Sequence, residues 1–248
     1  MCWSGQASAV LASAGIATTV YAAWKKEPAP LWIALGYFSL MEMLQSFTYS
    51  VINDCDNPTN QIATLLGYLH ITFQPFFINA VALYFIPAAI RRRIAIPVYI
   101  LCFAGSIITL IQLYPMAWAG MCDPSRPLCA ERLCSVRGNW HIAWEVPTNG
   151  LGNYFVRLGF SPLIDGFPGY VLSAFLVPLL YGSWRVVLFH YIFGPFLSVH
   201  LTNNHNEWPA IWCLLSIGIL MLVVKSPIRH LLHVRHWALW PKSWINKA

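Results

Sequence analysis

The sequence predicts an all-α, polytopic membrane protein of seven transmembrane helices. Its N-terminus is expected outside, its C-terminus in the cytoplasm, and a cysteine-containing extracytoplasmic loop between helices 4 and 5. Three observations predict this. Of 248 residues, 58% are hydrophobic and 10% are charged, with a mean hydropathy of +0.57, a balance that leaves a soluble globule short of polar surface. Apolar runs of about 20 residues recur, the length that crosses a bilayer. The charges between those runs segregate by sign.

The helices are expected near residues 7–23, 30–52, 61–86, 94–114, 167–183, 186–202 and 208–224. No positive charge precedes the first, and Lys25 and Lys26 follow it, so it is read as a retained helix rather than a secretory signal peptide. The fifth and sixth carry Pro178 and Pro195, which membrane helices accept as kinks where neighbours satisfy the freed carbonyl. Five spans with two re-entrant segments is the alternative. Residues 1–226 thus make one transmembrane domain, with a long extracytoplasmic loop at 115–166. Residues 227–248 make a basic, aromatic cytoplasmic tail.

Lys25, Lys26, Arg91, Arg92, Arg93, Arg185, Lys225, Arg229, Arg235, Lys242 and Lys247 fall on one side of this arrangement, the cytoplasmic side by the positive-inside rule. The other side holds Asp54, Asp56, Asp123, Glu131, Glu145, Asp165 and Glu207 against Arg126, Arg132, Arg137 and Arg157. The net charge of +6 is therefore topological. No basic patch with interleaved aromatics points to nucleic acid, and membrane lipids or other membrane-complex subunits are the expected partners.

Cys2, Cys55, Cys122, Cys129 and Cys134 all map outside, where oxidising conditions favour disulfides. The C-x6-C-x4-C spacing lacks the tight C-x2-C pairs of zinc knuckles. Five is odd, so one thiol is expected to be left over or to pair with another chain, and the pairing is open. Cys102 and Cys213 sit within apolar helices and read as core residues.

The tail SPIRHLLHVRHWALWPKSWINKA places Trp237, Trp240 and Trp244 at helical spacing, the pattern of an interfacial helix. It serves as an anchor, or docks a partner or anionic lipid. His230, His233 and His236 read as solvated interfacial histidines. No internal repeat or inverted duplication is visible.

Glu42 carries the sharpest functional signal, a carboxyl group near the middle of a span, where ionisable groups are rare and face a partner or cavity. Gln45, Ser46, Tyr49, Ser50 and Asn53 continue one polar face of that helix. His70 and Gln74 share a face of helix three. Counted from the short turn between the two helices, Glu42 and His70 both lie about 14–15 Å deep at 1.5 Å per residue. They are expected to meet, as a general base, metal ligands or proton relay, or as interhelical glue.

A second cluster, SVHLTNNHNEWP, offers His200, His205 and Glu207 as ligands for a divalent metal such as zinc, if the chain breaks at Asn203. A capped turn before helix seven is the plainer alternative. In GNWHIAWEVPTNG, His141 and Glu145 stand at i and i+4 between tryptophans, the pattern of a short amphipathic helix on the outer surface. Nucleotide-binding loops and the G-x-S-x-G elbow are absent from the sequence, and no lysine lies midway along a late helix to attach retinal.

MCWSGQAS, YFSLMEMLQSFTY, NPTNQIATLLGYLHITFQPFFINA and NEWPAIWCLLSIG together resemble a bacterial family of multi-pass membrane proteins of unknown function. That resemblance implies the bacterial inner membrane and no mechanism. The chain is more loosely similar to the seven-helix hydrolases that include alkaline ceramidases and adiponectin-type receptors. The likeness lies in N-out topology and an acid-bearing second helix, and Glu42 with Ser46, and His70, match it. Helix seven, WPAIWCLLSIGILMLVV, lacks their H-x-x-x-H.

The expectation is a polar intramembrane pocket, opening outward, that binds a metal or small ligand, with metal-dependent lipid hydrolysis as its extension. Glu42 and His70 would be the reactive pair, and Gln45, Ser46, Gln74, His141 and Glu145 would line the pocket. A non-catalytic subunit of a larger membrane complex is the alternative, and a transporter or proton path the third.

Overall fold

The computed structural model describes residues 3–153 and 167–245; Cys2, Arg157, Asp165 and Lys247 lie outside that range. Helix α1, Gly5–Trp24, starts where the Ser4 hydroxyl accepts the Ala7 N–H, an N-cap that satisfies one of the orphan amides. Helix α2, Ala29–Thr48, starts at a proline pair and closes in a 3-10 turn, Tyr49–Val51. Asn57 caps α3, Pro58–Tyr84, which is followed by α4, Ala88–Ile111.

Helix α5 spans Pro168–Leu180. Helix α6 runs through Trp184–Tyr191, Ile192–Phe196 and Leu197–Leu201. Both contain a π-helical turn, Leu172–Leu176 before Pro178 and Ile192–Phe196 around Pro195. Proline lacks the N–H and crowds the carbonyl four residues back, and the wider π turn accommodates it. Helix α7 is Trp208–Lys225, and a short α8 is Ile228–Leu232.

Among the described residues, four helices are long and apolar enough to cross a membrane: Gly5–Trp24, Pro58–Tyr84, Ala88–Ile111 and His205–Lys225. Helix α2 is the central one, packed against α1, α3 and α7. Its buried residues include Leu31, Leu35, Phe38, Glu42 and Gln45, spaced at three and four as one helical face requires. Small residues let the helices approach: a Cβ on Gly15 would meet the Ser39 hydroxyl, and Gly105 of α4 faces the Gly169 carbonyl of α5.

The segment expected as an outer amphipathic helix is a β-hairpin. Strand β1, Cys134–Arg137, pairs antiparallel with β2, Ile142–Glu145. Tertiary anchors override the helical spacing. A Cys55–Cys134 disulfide joins the hairpin to the α2–α3 turn. Asn60 of α3 accepts the Ser135 N–H at 2.8 Å and donates to the Ser135 carbonyl at 2.9 Å, and Trp144 lies buried against Gly67. Cys122–Cys129 forms a second disulfide, so four of the five candidate cysteines pair, while Cys102 and Cys213 are free and buried.

At the opposite end the tail departs from a continuous interfacial helix. After α8 it runs extended: Val234 donates to the Phe85 carbonyl at 2.9 Å, and the Trp237 and Trp240 indoles donate to the Leu180 and Tyr181 carbonyls. Those carbonyls end α5 and have no helical donor of their own, so the tail caps that helix rather than lying free. Glu27, between α1 and α2, pairs with Lys225 and Arg229, each at 2.8 Å, which draws the α1–α2 connection and the end of α7 together.

Candidate functional site

Glu42 and Gln45 lie one turn apart on α2, at the end nearer the hairpin, fully buried and 1% exposed respectively. The N-terminal segment closes over them. Trp3 donates its backbone N–H to the Trp140 carbonyl at 3.1 Å. Its indole N–H is shared between the Ser8 hydroxyl at 2.8 Å and Glu42 Oε1 at 3.2 Å, and its ring stacks on Trp140 and His141.

The turn between β1 and β2 brings in His141, also fully buried, with Nε2 3.6 Å from Glu42 Oε1. That is an ion-pair distance, too long for a hydrogen bond. On the other side of the ring, Nδ1 accepts the Ile142 N–H at 2.7 Å and lies 3.2 Å from the Tyr49 hydroxyl. A neutral imidazole has one acceptor nitrogen. The backbone donor therefore assigns the proton to Nε2, where it faces the Glu42 carboxyl group.

Glu207 fixes that turn. Its carboxylate accepts the N–H of Asn139 at 2.6 Å, of Trp140 at 2.7 Å and of His141 at 2.8 Å, with the Thr202 hydroxyl at 3.2 Å. A fully buried carboxylate with four donors is satisfied and acts as a clamp. The metal set expected at His200, His205 and Glu207 does not assemble. The His200 ring lies against its own helix at the Phe196 carbonyl, and His205 packs on Trp208. Among the described residues no three His, Cys, Asp or Glu side chains converge.

His70 also departs from expectation. It stacks on Tyr37 at 3.9 Å and meets Phe38 edge-on, so it reaches α2 about a turn below Glu42. The matched depth expected from counting residues is therefore off by about a turn, and the ring meets Tyr37 and Phe38 in place of Glu42. Gln74 bridges helices, accepting from the Tyr170 hydroxyl and donating to Cys213 Sγ. Ser46 donates to the Gly5 carbonyl, and Glu145 pairs with Arg132 at 3.0 Å. Of the expected residues, the structure brings Glu42, Gln45 and His141 to one end of α2. Trp3 was missed, although it stands in the opening MCWSGQAS block.

The chemistry of this place lies in its unpaired atoms. Glu42 Oε2, both amide atoms of Gln45 and His141 Nε2 are buried with no hydrogen-bond partner among the described residues. Each such group costs about 1–3 kcal/mol when left unmet. Together they offer a carboxyl oxygen and an amide oxygen as acceptors, with an amide NH2 and an imidazole N–H as donors.

No curated protein and no solved structure matches the chain, so the likeness to seven-helix hydrolases stands on the sequence alone. The model of a family described as "Family of unknown function (DUF5765)" matches residues 6–233, and the chain belongs to that family.

Proposed function

We propose that this chain is a seven-span protein of the bacterial inner membrane, N-terminus outside, that binds a small polar ligand between Glu42, Gln45 and His141. The observation that carries this reading is the group of four buried, unpartnered polar atoms on these three side chains. Native proteins leave few such groups, and those they leave mark an ordered water, an ion or a functional contact.

The chemistry favours a ligand with its own hydrogen-bond donors over a bare metal ion. For His141 to ligate through Nε2, its proton would have to move to Nδ1, which already accepts the Ile142 N–H. That exchange sets two donors against each other. A small amine or other donor-bearing molecule takes Glu42 Oε2 and Gln45 Oε1 as acceptors with no such conflict. Lipid hydrolysis has no ligand set to hold a catalytic metal among the described residues, so the reading is of binding.

A second reading, a non-catalytic subunit of a larger membrane complex, is favoured by closure of the site: Glu42 and His141 are fully buried. One experiment separates the two. Wild type and Glu42→Gln, purified without chelating resin, are compared by native mass spectrometry and metal analysis. The expected result is a stoichiometric small ligand on wild type that Glu42→Gln loses. Wild type free of any bound species, with partner proteins co-purifying instead, sinks the binding reading in favour of the subunit.

A further inference from the structure

At the end of the bundle opposite the hairpin, a cleft of about 980 Å³ opens between the α3–α4 turn, the start of α6 and the tail after α8. Its lining includes Arg91, Arg185, Arg235, His230, His233 and His236, and no acidic residue. Glu27, the one acid at this end among the described residues, is already held by Lys225 and Arg229. Among the described residues, no acid is left to compensate the charge of the cleft.

The start of α4 has the same sign. Pro87 gives α4 no side-chain cap and its first turn carries no acid, and Pro87 and Ala88 line the cleft, so the positive end of a 24-residue helix borders it. The Arg185 guanidinium is fixed in place by the Leu231 and His233 carbonyls.

We propose that this cleft binds a phosphate group, supplied either by the head group of an anionic phospholipid or by a soluble phosphate compound. Guanidinium groups match phosphate oxygens in pairs, and an uncapped helix start adds backbone donors at no reorganisation. Trp184 in the lining and Trp237 nearby are side chains that favour the head-group level of a bilayer.

The test uses the full chain and reads thermal unfolding in two arms. One compares nanodiscs of phosphatidylglycerol with nanodiscs of phosphatidylcholine. The other adds inorganic pyrophosphate in neutral detergent against chloride at equal ionic strength. Wild type should gain about 5 °C at saturation in at least one arm, and Arg91→Gln/Arg235→Gln should lose the gain. Arg92→Gln, outside the lining, should keep it. A gain only with phosphatidylglycerol assigns a head group, and a gain with pyrophosphate assigns the phosphate itself. Should the double variant fail to fold, Arg235→Gln alone, on the exposed tail, carries the comparison with a smaller loss. No gain for wild type in either arm, or the full gain kept by Arg91→Gln/Arg235→Gln or, in its place, by Arg235→Gln, overturns the proposal.

Discussion

Two buried carboxyl groups stand near one hairpin turn, and their partners give them different work. Glu207 meets three backbone amides and a hydroxyl, while Glu42 meets the Trp3 indole and, at a longer distance, His141. Gly138 tests the clamp. A Cβ there would lie 2.3 Å from Glu207 Cδ, and the carboxylate cannot retreat without releasing its donors. Gly138→Ala is expected to lower stability by about 1–3 kcal/mol, whereas Gly218→Ala, with nothing within 4 Å, should be neutral or raise it by up to about 1 kcal/mol. Thermal unfolding of the two variants in one detergent checks this, and equal effects would deny Glu207 its clamping role. Glu42 was legible in the sequence because a carboxyl group stands out in an apolar run. The role of Glu207 was not, since its partners are backbone amides, which every residue carries. Trp3 was hidden for a related reason: near a chain end, an aromatic side chain has no periodicity to betray its face.

At the scale of elements, the positions of the helices were legible because long apolar runs set them, and four helices among the described residues are long and apolar enough to cross a membrane. The hairpin was not. His141 and Glu145 fit both a helix at i and i+4 and a strand of period two, and what decides between them is distant in sequence: Cys55, Asn60 and Gly67. The tail misled in the same way, its tryptophans answering to the open carbonyls of α5. The disulfides give this a measurable form. Cys55–Cys134 closes a separation of 79 residues and Cys122–Cys129 one of 7. In the chain-entropy account these contribute about 4.5 and about 2.5 kcal/mol. Replacing Cys55 and Cys134 with serine should therefore lower the unfolding temperature more than replacing Cys122 and Cys129. It should also weaken retention of the proposed ligand at Glu42, since the first bridge anchors the hairpin that bears His141. The reverse order would mean that the hairpin is held by Asn60 and Trp144 without help from the bridge.

Taken whole, the molecule is polar at its two ends and apolar around its waist. Large apolar side chains stand exposed on α1 (Val10, Val20), α2 (Ile33, Leu40), α4 (Ile96, Ile100, Phe103) and α6 (Leu188, Phe193). A surface of that kind in water is an aggregation liability, and in hydrocarbon it is the required exterior. The ends differ in sign: Arg91, Arg92, Arg93, Arg185, Arg229, Arg235 and the Glu27 ion pairs gather at one, most of the acids with the disulfides and the hairpin at the other. Disulfides belong to oxidising compartments and dense Lys and Arg to the cytoplasmic face, so the proposed orientation, N-terminus outside, is the one that both criteria favour. That orientation predicts a labelling pattern. In a Cys2→Ser background, where the free Cys102 and Cys213 are buried, Gln6→Cys should react with a membrane-impermeant maleimide on intact spheroplasts. Ser243→Cys should react only after lysis. Both positions are exposed, so silence cannot be blamed on burial. The opposite pattern would invert the bundle. It would put Glu42, its hairpin lid and both disulfides on the reducing side, where the bridges would not persist and the lid would lose the covalent tie that closes it over the site.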